Sequence, residues 1–341
     1  MGPDNILDLT GTHAAELESR VAESLPFAAS VSHPVLTLIG AACALGMPES
    51  RCDEAPAYLR KRLKAGHELD GLYHWHRTLS APRPGADSGF PPPGLASFSR
   101  RLAKEVAACV EQEQRFMVFG GDHACAIGTW NGAARGLRTW NGAARGLRHQ
   151  GTMGLVWIDA HMDAHTSSTT PSGRAHGMPV ATLLGAGDPK LEFFGKAQPP
   201  SVLPGDLCLV GVRSYEGEEA ALLERLGVRI YPMHEVQSRG IAAVMREAVA
   251  RVTAHTTAFG ISLDLDALDP RNAPAVTTAV PKGISPRALL PPLREACAHP
   301  RFMGMEVVEF NPPADRDGRT LRLVEELVKA AAPSRDAGQA A

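Results

Sequence analysis

The stretch Leu155-Val156-Trp157-Ile158-Asp159-Ala160-His161-Met162-Asp163-Ala164-His165 starts apolar, then places a charged or imidazole side chain at every second residue from Asp159 onward. Extended backbone sends alternate side chains to one face, so Asp159, His161, Asp163 and His165 are expected to point together. Burying such a group without a compensating cation is prohibitive. A second element of the same kind lies downstream in Ser262-Leu263-Asp264-Leu265-Asp266, where Asp264 and Asp266 share a face. A third, Gly120-Gly121-Asp122-His123, follows the apolar run Phe116–Phe119. Three strand ends carrying His and Asp point to one cavity built around metal, and the reading is a binuclear metallohydrolase.

The candidate ligands are two imidazoles, His123 and His161, and four carboxylates, Asp159, Asp163, Asp264 and Asp266. Six protein ligands exceed what one tetrahedral zinc needs. An oxygen-rich set with some imidazole suits manganese, with iron, cobalt or nickel as alternatives. Two divalent ions about 3.5–4 Å apart lower the pKa of a water they share toward neutrality, which makes a nucleophile for a planar, electrophilic carbon.

The elements around these motifs alternate. Strands are expected at His33–Gly40, Phe116–Phe119, 155–158, Asp206–Val212, Val228–Tyr231, Phe259–Leu265 and Gly304–Val308. Helices are expected at Glu54–Lys64, Ser97–Gln114, Met178–Leu184, Glu216–Leu226, Ile241–Val252, Pro286–Ala298 and Thr320–Ala332. The helix at 97–114 is amphipathic, with Leu102, Val106, Cys109 and Val110 on one side. The segment from Ala81 to Gly94 is rich in Pro and Gly and reads as a surface loop. Alternating strands and helices argue an α/β fold with a parallel sheet, whose sites gather beyond the carboxyl ends of the strands. Residues 1–32 are expected to form one or two leader helices, 33–332 a single catalytic domain and 333–341 a frayed tail.

Thr129-Trp-Asn-Gly-Ala-Ala-Arg-Gly-Leu-Arg138 recurs without change as Thr139–Arg148. Ten residues at about 100° each do not close whole turns, so the second copy cannot present the same face as the first. A solenoid needs more than two repeats. The expectation is a local duplication that extends or bulges one helix rather than a new recognition surface.

Composition sets outer limits on the 341 residues. Hydrophobic residues make up 44%, enough for a sizeable core, and a formal net charge of −2 gives no reason to expect nucleic acid or an anionic membrane as partner. The apolar run from about Val35 to Met47 is too short to span a bilayer. Met1–Asp8 lacks the basic and apolar regions of a secretory signal, and Ile6 stands where an N-myristoylation motif has Ser or Thr. The six cysteines are scattered without CxxC pairing, which reads as reduced thiols of a cytoplasmic protein.

Gly120-Gly-Asp-His123, Asp159-Ala-His-Met-Asp163 and Ser262-Leu-Asp-Leu-Asp266-Ala-Leu-Asp-Pro270 resemble, in order, the three signature motifs of the ureohydrolase family, which includes arginase and agmatinase. The resemblance runs from about Val35 to Ala330 and is most like arginase. It implies a three-layer α/β/α fold, two manganese ions per subunit, release of urea from a guanidinium group, and a homotrimer or homohexamer. Residue by residue, it makes His123, Asp159, His161, Asp163, Asp264 and Asp266 the metal ligands, with Asp163 also accepting a hydrogen bond from the attacking water. His176, within Ser172-Gly-Arg-Ala-His176-Gly, matches a histidine that moves protons or assists the leaving amine, a role suited to imidazole. Glu309 matches the carboxylate that pairs with the guanidinium, and Thr278 a threonine lining the site.

The other end of the substrate falls to His165, Ser172, Arg174, Glu216 and Glu219. Ser172 fits the arginase pattern, whereas His165 and Arg174 stand where arginases typically have Asn; Arg174 could clamp a carboxylate. Glu216 and Glu219 match acidic positions that read a substrate amino group. The loop Thr277-Thr-Ala-Val-Pro-Lys-Gly283 departs from the family's Gly-Thr-Pro run, with Lys282 replacing a glycine. The favoured reaction is L-arginine to L-ornithine and urea. Agmatine, 4-guanidinobutyrate and formiminoglutamate are the sibling substrates. The deacetylases, which share the architecture, use one zinc and a paired-histidine motif that is missing here, and an inactive metal-binding relative is disfavoured by His176 and Glu309.

Overall fold

A computed structural model describes residues 35–83, 89–145, 152–191 and 200–333. The expected leader helices at 1–32 and most of the 333–341 tail lie outside the described residues. In chain order the described part runs β1 (Leu36–Ala42), α1 (Ala55–Ala65), β2 (Tyr73–Ser80), α2 (Leu95–Glu111), β3 (Phe116–Gly120), α3 (Cys125–Arg145), β4 (Met153–Ile158), α4 (Pro179–Leu183) and β5 (Leu207–Val212). It continues through α5 (Gly217–Leu226), β6 (Arg229–Pro232), α6 (Met233–Arg239), α7 (Ile241–Thr253), β7 (Ala258–Asp264), α8 (Pro286–Ala298), β8 (Phe302–Val308) and α9 (Arg319–Ala331).

The eight strands form one sheet in the order β2-β1-β3-β8-β7-β4-β5-β6, and every pairing is parallel. Central strands of such a sheet are covered on both faces, which is why β3, β4, β7 and β8 read as unbroken buried runs. Alternate residues of each strand enter different cores. Met117, Phe119, Val156 and Ile158 pack with α1, α7, α8 and α9 on one face. Val118, Leu155 and Trp157 pack with α2, α3 and α5 on the other. This is the expected three-layer α/β/α arrangement.

Two elements were not foreseen. Strand β2, Tyr-His-Trp-His-Arg-Thr-Leu-Ser, lies at the sheet edge and is mostly exposed, so it shows no apolar run. Helix α6 is only seven residues long. The duplicated segment resolves as an extension: α3 runs unbroken from Cys125 through the first copy and into the second. Among the described residues the first copy supplies the buried Trp130, Ala133, Ala134 and Leu137, whereas Thr139 is exposed. Close approach of α2 requires Gly132, where a Cβ would sit 2.5 Å from the Ala103 carbonyl oxygen.

Because the strands are parallel, all their carboxyl ends lie along one edge. The four adjacent strands β3, β8, β7 and β4 deliver His123, Glu309, Asp264 and Asp159 there.

Candidate metal centre

Each ligand candidate is set by the backbone just beyond its strand. After β3 the chain passes under the 43–47 loop so tightly that a Cβ on Gly121 would lie 1.8 Å from the Cys43 carbonyl oxygen, so only glycine fits. After β7, Asp264 caps a short 3-10 turn by accepting the Asp266 amide at 2.8 Å, which brings the two carboxylates round to one side. After β4, Asp159 accepts the His161 amide at 2.7 Å, and Asp163 adopts a left-handed backbone with φ of 49°.

These turns make two clusters that share Asp159. In the first, His123 Nδ1 lies 3.0 Å from Asp163 Oδ2 and 3.2 Å from both Asp159 Oδ2 and Asp264 Oδ2. In the second, His161 Nδ1 lies 3.1 Å from Asp266 Oδ2 and 3.5 Å from Asp159 Oδ1. All six expected ligands are thus brought together.

The donor set fits a cation. His123 Nε2 is 3.1 Å from Ser262 Oγ, whose hydroxyl donates onward to Glu306 at 3.0 Å. The Ser262 oxygen therefore accepts the Nε2–H, and the His123 lone pair is left at Nδ1. That atom is buried, makes no hydrogen bond and faces three carboxylate oxygens. A lone pair opposed to three anions is repulsive until a positive charge sits among them. The carboxyls register the same tension. Burial, reinforced by the neighbouring aspartates, pushes Asp163 and Asp264 upward and takes Asp266 to about 6. Burial also works against ionised Asp159, but a proton on the His123 and His161 rings, the other way to set positive charge among these carboxylates, outweighs it and holds that carboxyl well below the usual range.

Beside the clusters is a cavity of about 270 Å³ lined by His161, Asp163, His165, Ser172, His176, Glu216, Glu219, Asp264, Asp266, Thr278 and Glu309. Glu309 has φ of 64° and accepts the His123 amide at 3.0 Å; His176 Nδ1 is 3.6 Å from its Oε1. Burial opposes charge on both. Their mutual attraction prevails, lowering Glu309 and lifting His176 to about 9. At the mouth, His165 Nε2 lies 3.0 Å from Glu216 Oε2 and 3.4 Å from Glu219 Oε2. The two glutamates form the capping box of α5, and burial takes Glu219 to about 8. Arg174 is not among the lining residues, and its guanidinium pairs with Glu49.

Sequence reasoning passed over the supports. Asp122, to which its motif alone assigns no role, accepts the amides of Gly46, Met47 and Ala124 and pins the loop above Gly121. Glu306 ends the chain from His123 through Ser262 and also accepts the Thr129 hydroxyl. A lone carboxylate inside the otherwise apolar Phe302–Val308 strand was the available signal. Cys52, 3.4 Å from Glu309 Oε2, carried none.

The model of the arginase family matches residues 35–332 of this chain. The chain belongs to the arginase family. It is 36% identical to the arginase of Bacillus caldovelox over 234 residues, 69% of this chain and 74% of that protein. To the arginase of Bacillus subtilis strain 168 it is 34% identical over 231 residues, 68% of this chain and 73% of that protein. The crystal structure of a Bacillus subtilis arginase superposes with a TM-score of 0.76 at 28% identity, covering 88% of this chain and 99% of the other.

For an arginase-family member, the paired clusters are a binuclear manganese centre, and the protein is a metal-dependent hydrolase of a small guanidinium substrate. Among the described residues no helix is long and apolar enough to cross a membrane.

Proposed function

We propose that this chain hydrolyses L-arginine to L-ornithine and urea. The observation that carries the reading is that Glu309 and His176 line one cavity with four of the six metal ligands, His161, Asp163, Asp264 and Asp266. When bound, the two manganese ions supply Lewis-acid activation of water near neutral pH. His123, Asp159, His161, Asp163, Asp264 and Asp266 hold them. Glu309 stays anionic despite burial and offers its carboxylate to the planar guanidinium. Asp163 accepts a hydrogen bond from the attacking water. His176, protonated at neutral pH with its pKa at about 9, hands a proton to the departing amine. His165, Ser172, Glu216 and Glu219 receive the amino-acid end, and Thr278 lines the site. The reading takes 33–332 as one catalytic domain of a cytoplasmic homotrimer or homohexamer, in keeping with the motif resemblance.

A second reading is a guanidino acid without an amino group. It is favoured by His165, whose ring already faces the two carboxylates that an ammonium would use. The test is urea release by manganese-loaded protein from arginine, agmatine and 4-guanidinobutyrate side by side, with formamide release followed for formiminoglutamate. Preference for arginine supports the first reading; turnover confined to guanidinobutyrate replaces it with the second.

A further inference from the structure

Three segments far apart in sequence meet behind Glu309. Cys52, fully buried in the short 3-10 turn Cys52–Glu54 before α1, places its sulfur 3.4 Å from Glu309 Oε2. The same sulfur lies 3.1 Å from the hydroxyl of Thr277. Burial and the nearby Glu309 charge drive the thiol's pKa far upward, so Cys52 stays an S–H and acts as the donor. Glu309 Oε1 is held by the His123 amide and approached by His176. Among the described residues, the hydrogen bond to Oε2 comes from Cys52.

We propose that Cys52 and Thr277 form a positioning pair that fixes the plane of the Glu309 carboxylate and so sets affinity for the guanidinium head group. The inference rests on reading Glu309 as the guanidinium partner. A thiol is a weak, neutral donor. It orients Oε2 without cancelling the negative charge a cation needs, whereas an ammonium or guanidinium in its place would compete with the substrate. The Thr277 hydroxyl, at hydrogen-bond distance from the same sulfur, limits the thiol's rotation.

The experiment uses the full-length, manganese-loaded protein and compares Cys52→Val, Cys52→Ser and Thr277→Val with the parent. Two quantities are read: KM and kcat for urea release, and the competitive inhibition constant of guanidinium chloride, which probes the head group alone. Loss of one hydrogen bond to a charged group should raise both KM and the guanidinium constant about fivefold in Cys52→Val while kcat moves less than about twofold. Cys52→Ser, which keeps a donor, should recover part of that loss, and Thr277→Val should show a smaller rise in the same two constants. Unmoved constants in Cys52→Val at parental manganese content overturn the proposal. So does a rise in KM without a rise in the guanidinium constant, which would place the effect at the substrate's other end. If Cys52→Val does not fold, Thr277→Val decides, and an unchanged guanidinium constant there is the overturning result. Absence of urea release by the parent from every guanidino compound overturns the functional reading itself and this proposal with it.

Discussion

The imidazole of His123 lies flat on the indole of Trp157, their centroids 4.1 Å apart and their planes within 9° of parallel. The same indole donates its Nε1–H to Asp159 Oδ2 at 2.9 Å. One apolar side chain of β4 therefore holds a ligand ring by its face and a ligand carboxylate by its edge. Outer partners of this kind orient metal ligands before any ion arrives.

Trp157→Phe tests that arrangement, because it keeps an aromatic face and removes the donor. Manganese affinity should fall about tenfold, in line with loss of an outer hydrogen bond to a ligand, with the fold retained. A competition titration against a chelator of known affinity measures it. Equal affinity in variant and parent would show that the indole N–H is dispensable.

Asp264→Ala should abolish urea release and lower bound manganese below the parental content. It should also leave the chelator-treated variant at least as stable as the chelator-treated parent. The reason is that burial and the neighbouring aspartates penalise ionised Asp264 in the folded state, so its removal relieves that cost when no ion is present. Metal analysis together with thermal unfolding in chelator gives both answers; undiminished metal content and rate would refute the ligand assignment.

Lys282 is exposed and carries φ of 62°, the left-handed region that glycine occupies freely. This is the physical content of the glycine that the family resemblance expects there. Lys282→Gly should stabilise the protein by about 0.5–1 kcal/mol, since relief of the left-handed penalty exceeds the added freedom of the unfolded chain. Urea denaturation measures the change, and a loss of stability would contradict the strain.

Deleting Thr139–Arg148 should preserve urea release, with KM and kcat near parental values. The first copy supplies the buried Trp130, Ala133, Ala134 and Leu137, and these residues are retained in the deletion. Kinetics on the purified deletion variant check this. A large loss of turnover in a folded variant would assign the second copy a role in the site.

Much of the centre was legible because its chemistry is local. Asp159, His161 and Asp163 stand two residues apart, and Asp264 and Asp266 repeat the spacing, so the motifs were legible; but β4 ends at Ile158, Asp163 is left-handed and Asp266 lies in a 3-10 turn, so it is the turns beyond the strands that bring the side chains together. The central strands were legible for a related reason: burial on both faces leaves unbroken apolar runs. Edge strand β2 lacks that signature, since Tyr73–Ser80 alternates exposed and half-buried residues with few of them apolar. The pairing of Arg174 with Glu49, the grip of Asp122 on the Gly46–Met47 loop and the approach of Cys52 to Glu309 depend on loops converging over 75 to 257 residues of sequence. No periodicity records such convergence.

Helix α3 starts beside His123 at the carboxyl edge of the sheet and must travel to the opposite edge before β4 can begin in parallel. The copied ten residues enter on that return journey. Reactive groups thus occupy one rim of the molecule while errors in chain length are absorbed at the other. A gene-level accident in the connector can persist without ever being felt by the ions, and drift in this protein should gather on the rim that does no chemistry.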